Sequence, residues 1–113
     1  MSEGLKATEA ECAANAVAPR VSLSDIEGAI AAQYLFTGEA AVRAIAAPVM
    51  PSLSLLTICI LVMKNGFTVI GKSAPASPEN FNAELGQKLA YEDAIRQLWP
   101  LMGYALRDKL AGA

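Results

Sequence analysis

The chain has 113 residues, of which 54% are hydrophobic and 18% are charged, and its formal net charge is -2. This length fits a single globular domain. The mildly acidic balance disfavours general nucleic-acid binding, which uses a broad basic surface to neutralise phosphates. The sequence has no histidine, and its two cysteines, Cys12 and Cys59, stand far apart. We therefore expect no catalytic residue, no cofactor, no metal site ligated by nitrogen and sulfur, and a reduced cytoplasmic compartment.

Residues 1–20 are small and polar and show no stable hydrophobic period. Glutamates lie close to the start and no long apolar stretch follows them, so we expect no secretory signal peptide. The composition predicts a flexible N-terminal extension over 1–20 and a single α+β domain over 21–113.

The domain is predicted to begin with a helix from about Leu23 to Phe36. Ser22 stands in the N-cap position, and Asp25 follows three residues later in the acidic first turn,. Apolar residues then recur at helical spacing. Gly38 is predicted to be the C-cap that ends this helix.

The next segment combines a short helix with a long uncharged stretch. Glu39–Ala46 is predicted to form a second helix that Pro48 ends, and 48–54 is predicted to be a loop. Ala44–Met63 is twenty residues without a charge, which is long enough to span a membrane,. Prolines and hydroxyl residues inside it favour a loop followed by a buried strand, so we expect no membrane span.

An antiparallel hairpin is predicted for Leu55–Lys64 and Phe67–Ser73. The Asn-Gly pair between them, at positions 65 and 66, is a strong hairpin signal because both residues of a type I′ turn need positive φ,. A two-residue loop would place Cys59 opposite Lys72. The lysine would then lower the pKa of the thiol, although a buried core cysteine is the simpler interpretation.

The first hairpin strand is apolar on both faces, and a two-stranded ribbon cannot cover both. Helices on each side or a second copy of the chain would complete the structure. We therefore expect a homo-oligomer.

A long C-terminal helix is predicted to start at Ser77 as N-cap with Pro78 at its first position. Three stripes follow it at helical spacing: the apolar ridge Phe81, Leu85, Leu89; the small-residue ridge Ala83, Gly86, Ala90, Ala94; and the charge ladder Glu84, Lys88, Glu92, Arg96. The small ridge allows another helix or a sheet to approach closely. The ladder explains the two glutamates better than a catalytic pair does. Pro100 predicts a kink or a restart at Trp99-Pro100.

Three segments resemble a family of small tailed-phage proteins of unknown function, typed by gene product forty-nine of a coliphage and gene sixty-six of a Shigella phage: LLTICILVMKNGFTVIG, SPENFNAELGQKLA and IRQLWPLMGYALRDKL. Pro75 and Met102 depart from the family pattern. The resemblance implies a phage or prophage protein that acts in the host cytoplasm, and it implies no reaction. By analogy, small accessory phage proteins often block host proteins or sequester signalling molecules.

One candidate ligand site lies at the start of the predicted long helix. Ser77 and the free backbone N–H groups at Glu79 and Asn80 suit a phosphate or carboxylate, with Lys64 or Lys72 supplying positive charge. The alternative is an ordinary helix cap that binds no ligand.

A candidate partner site is the group Arg96, Trp99 and Tyr104, because aromatic residues and arginine dominate interface hot spots. The alternative is that Trp99 closes the core and Tyr104 packs beside it. The leading hypothesis is a non-catalytic binding protein that inhibits a host defence or regulatory protein. The competing hypothesis is a sponge for a small anionic signalling nucleotide, held at a subunit interface.

Overall fold

A computed structural model describes residues 3–15 and 18–112. Its helices are α1 (Glu3–Asn15), α2 (Leu23–Gly28), α3 (Gly38–Ala44) and α4 (Ala83–Leu110), and its strands are β1 (Ile30–Thr37), β2 (Thr57–Met63) and β3 (Thr68–Ser73). Short 3-10 helices cover Pro51–Leu55 and Pro78–Asn80. The strands form one antiparallel sheet in the order β1-β2-β3. The α+β class is confirmed, with a three-stranded sheet in place of the predicted two-stranded hairpin.

The first domain helix begins as predicted but ends early. Ser22 and Asp25 form a reciprocal capping box, in which Asp25 N donates to Ser22 Oγ at 3.0 Å and Ser22 N donates to Asp25 Oδ2 at 2.9 Å. The prediction of helix as far as Phe36 is wrong, because α2 stops at Gly28 and Ile30–Thr37 forms β1. Pairing with the apolar strand β2 outweighs the weak helical preference of this segment.

Gly38 starts a helix and does not end one. Thr37 is the N-cap of α3, and its Oγ1 accepts a hydrogen bond from Ala40 N at 3.1 Å. The short second helix is confirmed. The uncharged stretch that follows α3 contains a 3-10 turn and then β2. Among the described residues, no helix has the length and apolarity that crossing a bilayer needs.

The hairpin is confirmed, but its predicted register is wrong by one residue. The loop has three residues, 64–66, and only Gly66 takes a positive φ, 88°. Gly66 N and Phe67 O both bond to Met63, as in a type I turn followed by a bulge,. Cys59 therefore lies opposite Gly71, and Lys72 lies opposite Ile58.

The core lies between the sheet and α4. Alternate residues of β2 are buried against the helix: Thr57, Cys59, Leu61, Met63. The small residues of α4 make the contact close, because a Cβ on Gly71 would lie 2.1 Å from Ala90 O and 2.9 Å from Ala94 Cβ. Three residues of the predicted small-residue ridge, Gly86, Ala90 and Ala94, are therefore buried against the sheet of their own chain, whereas Ala83 is exposed.

The long helix starts later than predicted. Asn82 is its N-cap, accepting a hydrogen bond from Leu85 N at 3.0 Å. Ser77 precedes only the 3-10 helix Pro78–Asn80, and its side chain makes no capping bond. The helix continues through Pro100 to Leu110, so no restart occurs there. Pro100 is exposed, and its missing N–H removes one hydrogen bond from a helix that packing holds on the other side,.

The predicted N-terminal extension contains a helix. Leu5 of α1 is 3% exposed and belongs to the core cluster. The Glu9 carboxylate pairs with Arg20 and accepts a hydrogen bond from Leu23 N. The chain division at residue 20 stays a prediction, but this segment contributes a side chain to the core.

Candidate functional site

A groove of about 770 Å³ lies between the hairpin turn, the start of α2 and the C-terminal half of α4. Its apolar lining residues are Val21, Ala29, Met63, Phe67, Leu98, Leu101, Met102, Ala105 and Leu106. Its polar lining residues are Arg20, Asp25, Lys64, Asn65 and Lys109. Specific binding pockets usually have a volume of this order and a mostly apolar lining.

The groove exists because α4 is longer than the sheet on which it packs. A helix of 28 residues extends about 42 Å, whereas strands of six to eight residues extend about 20–27 Å,. Leu98 is the last buried residue of α4, and Leu101 is 45% exposed. The final turns therefore present an apolar stripe with no strand beneath it, facing the hairpin turn.

Positive charge borders the groove although the whole chain is acidic. Three basic residues, Arg20, Lys64 and Lys109, line it with one acid, Asp25. Asp25 is held in the capping box, where hydrogen bonds from the backbone and side chain of Ser22 lower the pKa of its carboxyl group. Arg20 pairs with Glu9 in α1. Within residues 3–15 and 18–112, neither lysine makes an ion pair, so both ammonium groups remain available to an acidic partner.

The predicted ligand residues do not meet in one chain. Lys64 lies in the hairpin turn, whereas Lys72 and Ser77 lie at the far end of β3, on the order of 20 Å away along the strand,. Asn80 borders a small cavity of about 80 Å³ together with Phe81. The helix start that should have supplied free N–H groups is a 3-10 turn. A ligand role for these four residues stays a prediction, and their positions do not form a single site.

The three predicted partner residues do not share one surface. Trp99 packs against the core, and its Nε1 donates to Val21 O at 3.1 Å. Arg96 is exposed and lies 3.6 Å from the Glu92 carboxylate, while Tyr104 is 73% exposed. At 100° per residue, Arg96 and Tyr104 project more than about 120° from the mean direction of the groove residues of α4. The interpretation of Trp99 as a core residue matches its position.

Sequence reasoning missed the groove stripe itself. The signal was present, because apolar residues continue at helical spacing beyond Pro100: Leu98, Leu101, Met102, Ala105, Leu106. A stripe that continues past the end of the sheet has no intramolecular surface to cover it. The predicted break at Pro100 separated these residues from the helix to which they belong.

The remaining candidate reactive groups among the described residues are Cys59 and Glu92. Burial raises the pKa of the Cys59 thiol, which keeps it protonated, and the corrected register removes Lys72 from its side of the sheet. Glu92 is buried and pairs with Arg96, so the predicted charge ladder is solvated only in part. In the part of the chain that the structure describes, no three metal-ligating side chains come together.

Comparison with known proteins identifies the family. The model of the phage protein (N4 Gp49/phage Sf6 gene 66) family matches residues 21–110, which include the whole sheet and α4. The chain therefore belongs to this phage protein family, and the resemblance carried by the three sequence segments is confirmed. No curated protein and no solved structure matches the chain.

Proposed function

We propose that this phage protein acts without catalysis, by binding a bacterial protein in the groove between the hairpin turn and α4. The observation that supports the proposal is the apolar stripe of α4 beyond the sheet, together with the basic residues beside it. Leu101 and Phe67 are 45% and 52% exposed there. Large apolar side chains that remain exposed together mark an interaction surface.

The chemistry of the groove defines the partner segment that fits it. An amphipathic helix places apolar anchors at i, i+3 or i+4 and i+7, and such a helix docks into an apolar groove of this kind. The two unpaired lysines, Lys64 and Lys109, favour acidic residues beside those anchors,. We therefore expect an acidic amphipathic helix of a host protein as the bound element.

An inhibitory outcome follows from such binding when the docked segment belongs to the working surface of the host protein. A host defence or regulatory protein is the kind of target that small accessory phage proteins often block, which is an analogy from the family's phage origin,. The nucleotide-sponge alternative needed a cation, a helix start and a polar side chain at one place. Lys72, Ser77 and Asn80 lie close together along the chain, but Ser77 precedes a 3-10 helix and not the long helix. No observation on the described residues therefore favours that function over binding in the groove.

Recovery of a tagged copy from infected cells tests the proposal. Leu101→Glu introduces a charge into the groove stripe and should abolish the recovery of the specific bacterial protein. Leu85→Glu is the matched control, because Leu85 lies on the same helix outside the groove and is 47% exposed, compared with 45% for Leu101. Circular dichroism should show that both variants fold.

Two results would contradict the proposal. One is equal loss of the partner in the Leu101 and Leu85 variants. The other is a partner that both variants retain, which would place the binding surface elsewhere on the molecule.

A further inference from the structure

Strand β1 forms one edge of the sheet, and every second residue of it directs its backbone groups away from β2. Gly38 N donates to Leu56 O at 2.9 Å, which fixes the alternation along the pair. Ala32, Tyr34 and Phe36 therefore bond to β2, and the register shifts only before Ala32,. The N–H and C=O groups of Gln33 and Leu35 point outward, and no described residue pairs with them.

The opposite edge of the sheet is blocked by α4. On β3, the outward-facing N–H of Lys72 donates to Asp93 Oδ2 at 2.9 Å, and the outward-facing carbonyl of Ile70 accepts from Gln97 Nε2 at 2.7 Å. Side chains of the long helix thus occupy the groups with which another strand would pair. The two edges of one sheet are therefore not equivalent.

The open edge also lacks the features that normally prevent strand pairing. Ile30–Thr37 contains no charged residue and no proline, which are the usual protective residues on edge strands,. On the sheet face opposite α4, one apolar row crosses all three strands: Tyr34, Ile60 and Ile70. Tyr34 and Ile70 are 55% and 58% exposed.

We infer that a second copy of this chain pairs through β1, antiparallel to the first β1, and joins the two sheets into one sheet of six strands. A second copy is the fitting partner because the outward-facing groups of Gln33 and Leu35 are complementary to those of an identical antiparallel strand. The same pairing makes the two apolar outer faces continuous. This interface uses neither the small-residue ridge of α4 nor the groove stripe.

Size-exclusion chromatography with light-scattering detection, at micromolar protein concentrations, tests the interface. The wild type should give twice the chain mass of 11.8 kDa. Gln33→Pro removes an outward N–H without breaking a bond to β2, and Gln33→Lys places a charge on the edge. Both variants should elute at the mass of a single chain. The controls are Thr68→Pro and Thr68→Lys, because Thr68 has the same outward-facing position on β3, and they should keep the wild-type mass.

Circular dichroism identifies which variants fold. If a proline variant does not fold, the comparison of Gln33→Lys with Thr68→Lys decides the question. A wild type that has the mass of one chain overturns the inference. So does a dimer that the folded Gln33 variants retain, or one that the Thr68 variants lose equally. Slower exchange of the Gln33 and Leu35 amides as the protein concentration rises would locate the pairing at this edge.

Discussion

Substitution of Gly71 by alanine tests whether α4 rests directly on the sheet. An added Cβ would lie 2.1 Å from Ala90 O, 2.5 Å from Ala94 N and 2.9 Å from Ala94 Cβ. Two of these atoms are backbone atoms, so no side-chain rotation relieves the overlap. An ordinary contact of 3.4 Å in place of 2.1 Å requires the helix and strand to separate by about 1.3 Å.

The magnitude follows from the packing that this separation disturbs. A gap of about 0.5–1 Å already loses a quarter to a half of the dispersion attraction between the surfaces that it separates. Overpacking usually costs about 1–3 kcal/mol. Because the obstacle here is the backbone of the main core helix, we expect a loss of about 3 kcal/mol, at the upper end of that range. For a chain of 113 residues, that loss lowers Tm by roughly 13 °C,.

Urea unfolding measures the effect, with the midpoint and slope fitted together so that a change in stability is separated from a change in the unfolded state. Gly103→Ala is the control, because Gly103 lies in the same helix with no atom within 4 Å of the added Cβ. It should stabilise the protein by up to about 1 kcal/mol through helix propensity. A Gly71→Ala variant within about 0.5 kcal/mol of the wild type would refute the close packing of α4 on β3.

Four further predictions concern the core, its titrating groups and the ligand class. Leu5→Ala should lower the free energy of unfolding by about 2 kcal/mol or more, since Leu5 is buried,; unchanged urea unfolding would mean that α1 does not dock. The hydroxyl of Tyr91 donates to Glu27 at 3.0 Å, and burial first, then this bond, raises the pKa of Tyr91. The contribution of Tyr91 to the free energy of unfolding should therefore be fully present below about pH 10 and should be lost as the pH rises further. Tyr91→Phe should lower the free energy of unfolding by about 1.5–3 kcal/mol at neutral pH and should not show that alkaline decline. Buried Cys59 should react with a thiol reagent far more slowly than exposed Cys12; equal rates would contradict the core position of the strand. A panel of signalling nucleotides should leave Tm unchanged, and a clear upward shift would restore the sequestration hypothesis.

Local signals in the sequence were enough for several elements. The capping box at Ser22, the Asn-Gly turn and the small-residue ridge each depend on neighbouring residues alone, and each is present. The close approach at Gly71 follows from the same ridge. These features could be predicted because the physical constraint and the residues that meet it lie within a few positions of one another.

Strand β1 could not be recognised in the same way. Its Ala31-Ala32-Gln33 run suits a helix, and its strand form depends on pairing with β2, whose residues follow 20 or more positions later,. Gly28, where α2 ends, was the available local signal. The hairpin register failed for a smaller reason, since Asn65 does not take the positive φ that a two-residue loop would have required.

The candidate site depended on the relative lengths of elements. The stripe at Leu101 reads as ordinary helix amphipathicity until the sheet is known to end before it. The predicted cap at Ser77 failed because Asn82, five residues later, supplies the cap of α4. Lys64 was predicted to supply positive charge at the helix start near Ser77. It lines the groove beside the hairpin turn instead.

The affinity of the recovered bacterial protein for charge-reversal variants tests the proposed groove most directly. Lys64→Glu combined with Lys109→Glu reverses both unpaired cations of the groove, and Lys72→Glu is the control on the far end of the sheet. The double variant should weaken binding at least about tenfold, or roughly 1.4 kcal/mol, and should reduce the dependence of the wild-type Kd on salt. The control should bind like the wild type. An unchanged Kd in the double variant, or an equal loss in Lys72→Glu, would contradict docking of an acidic segment in this groove.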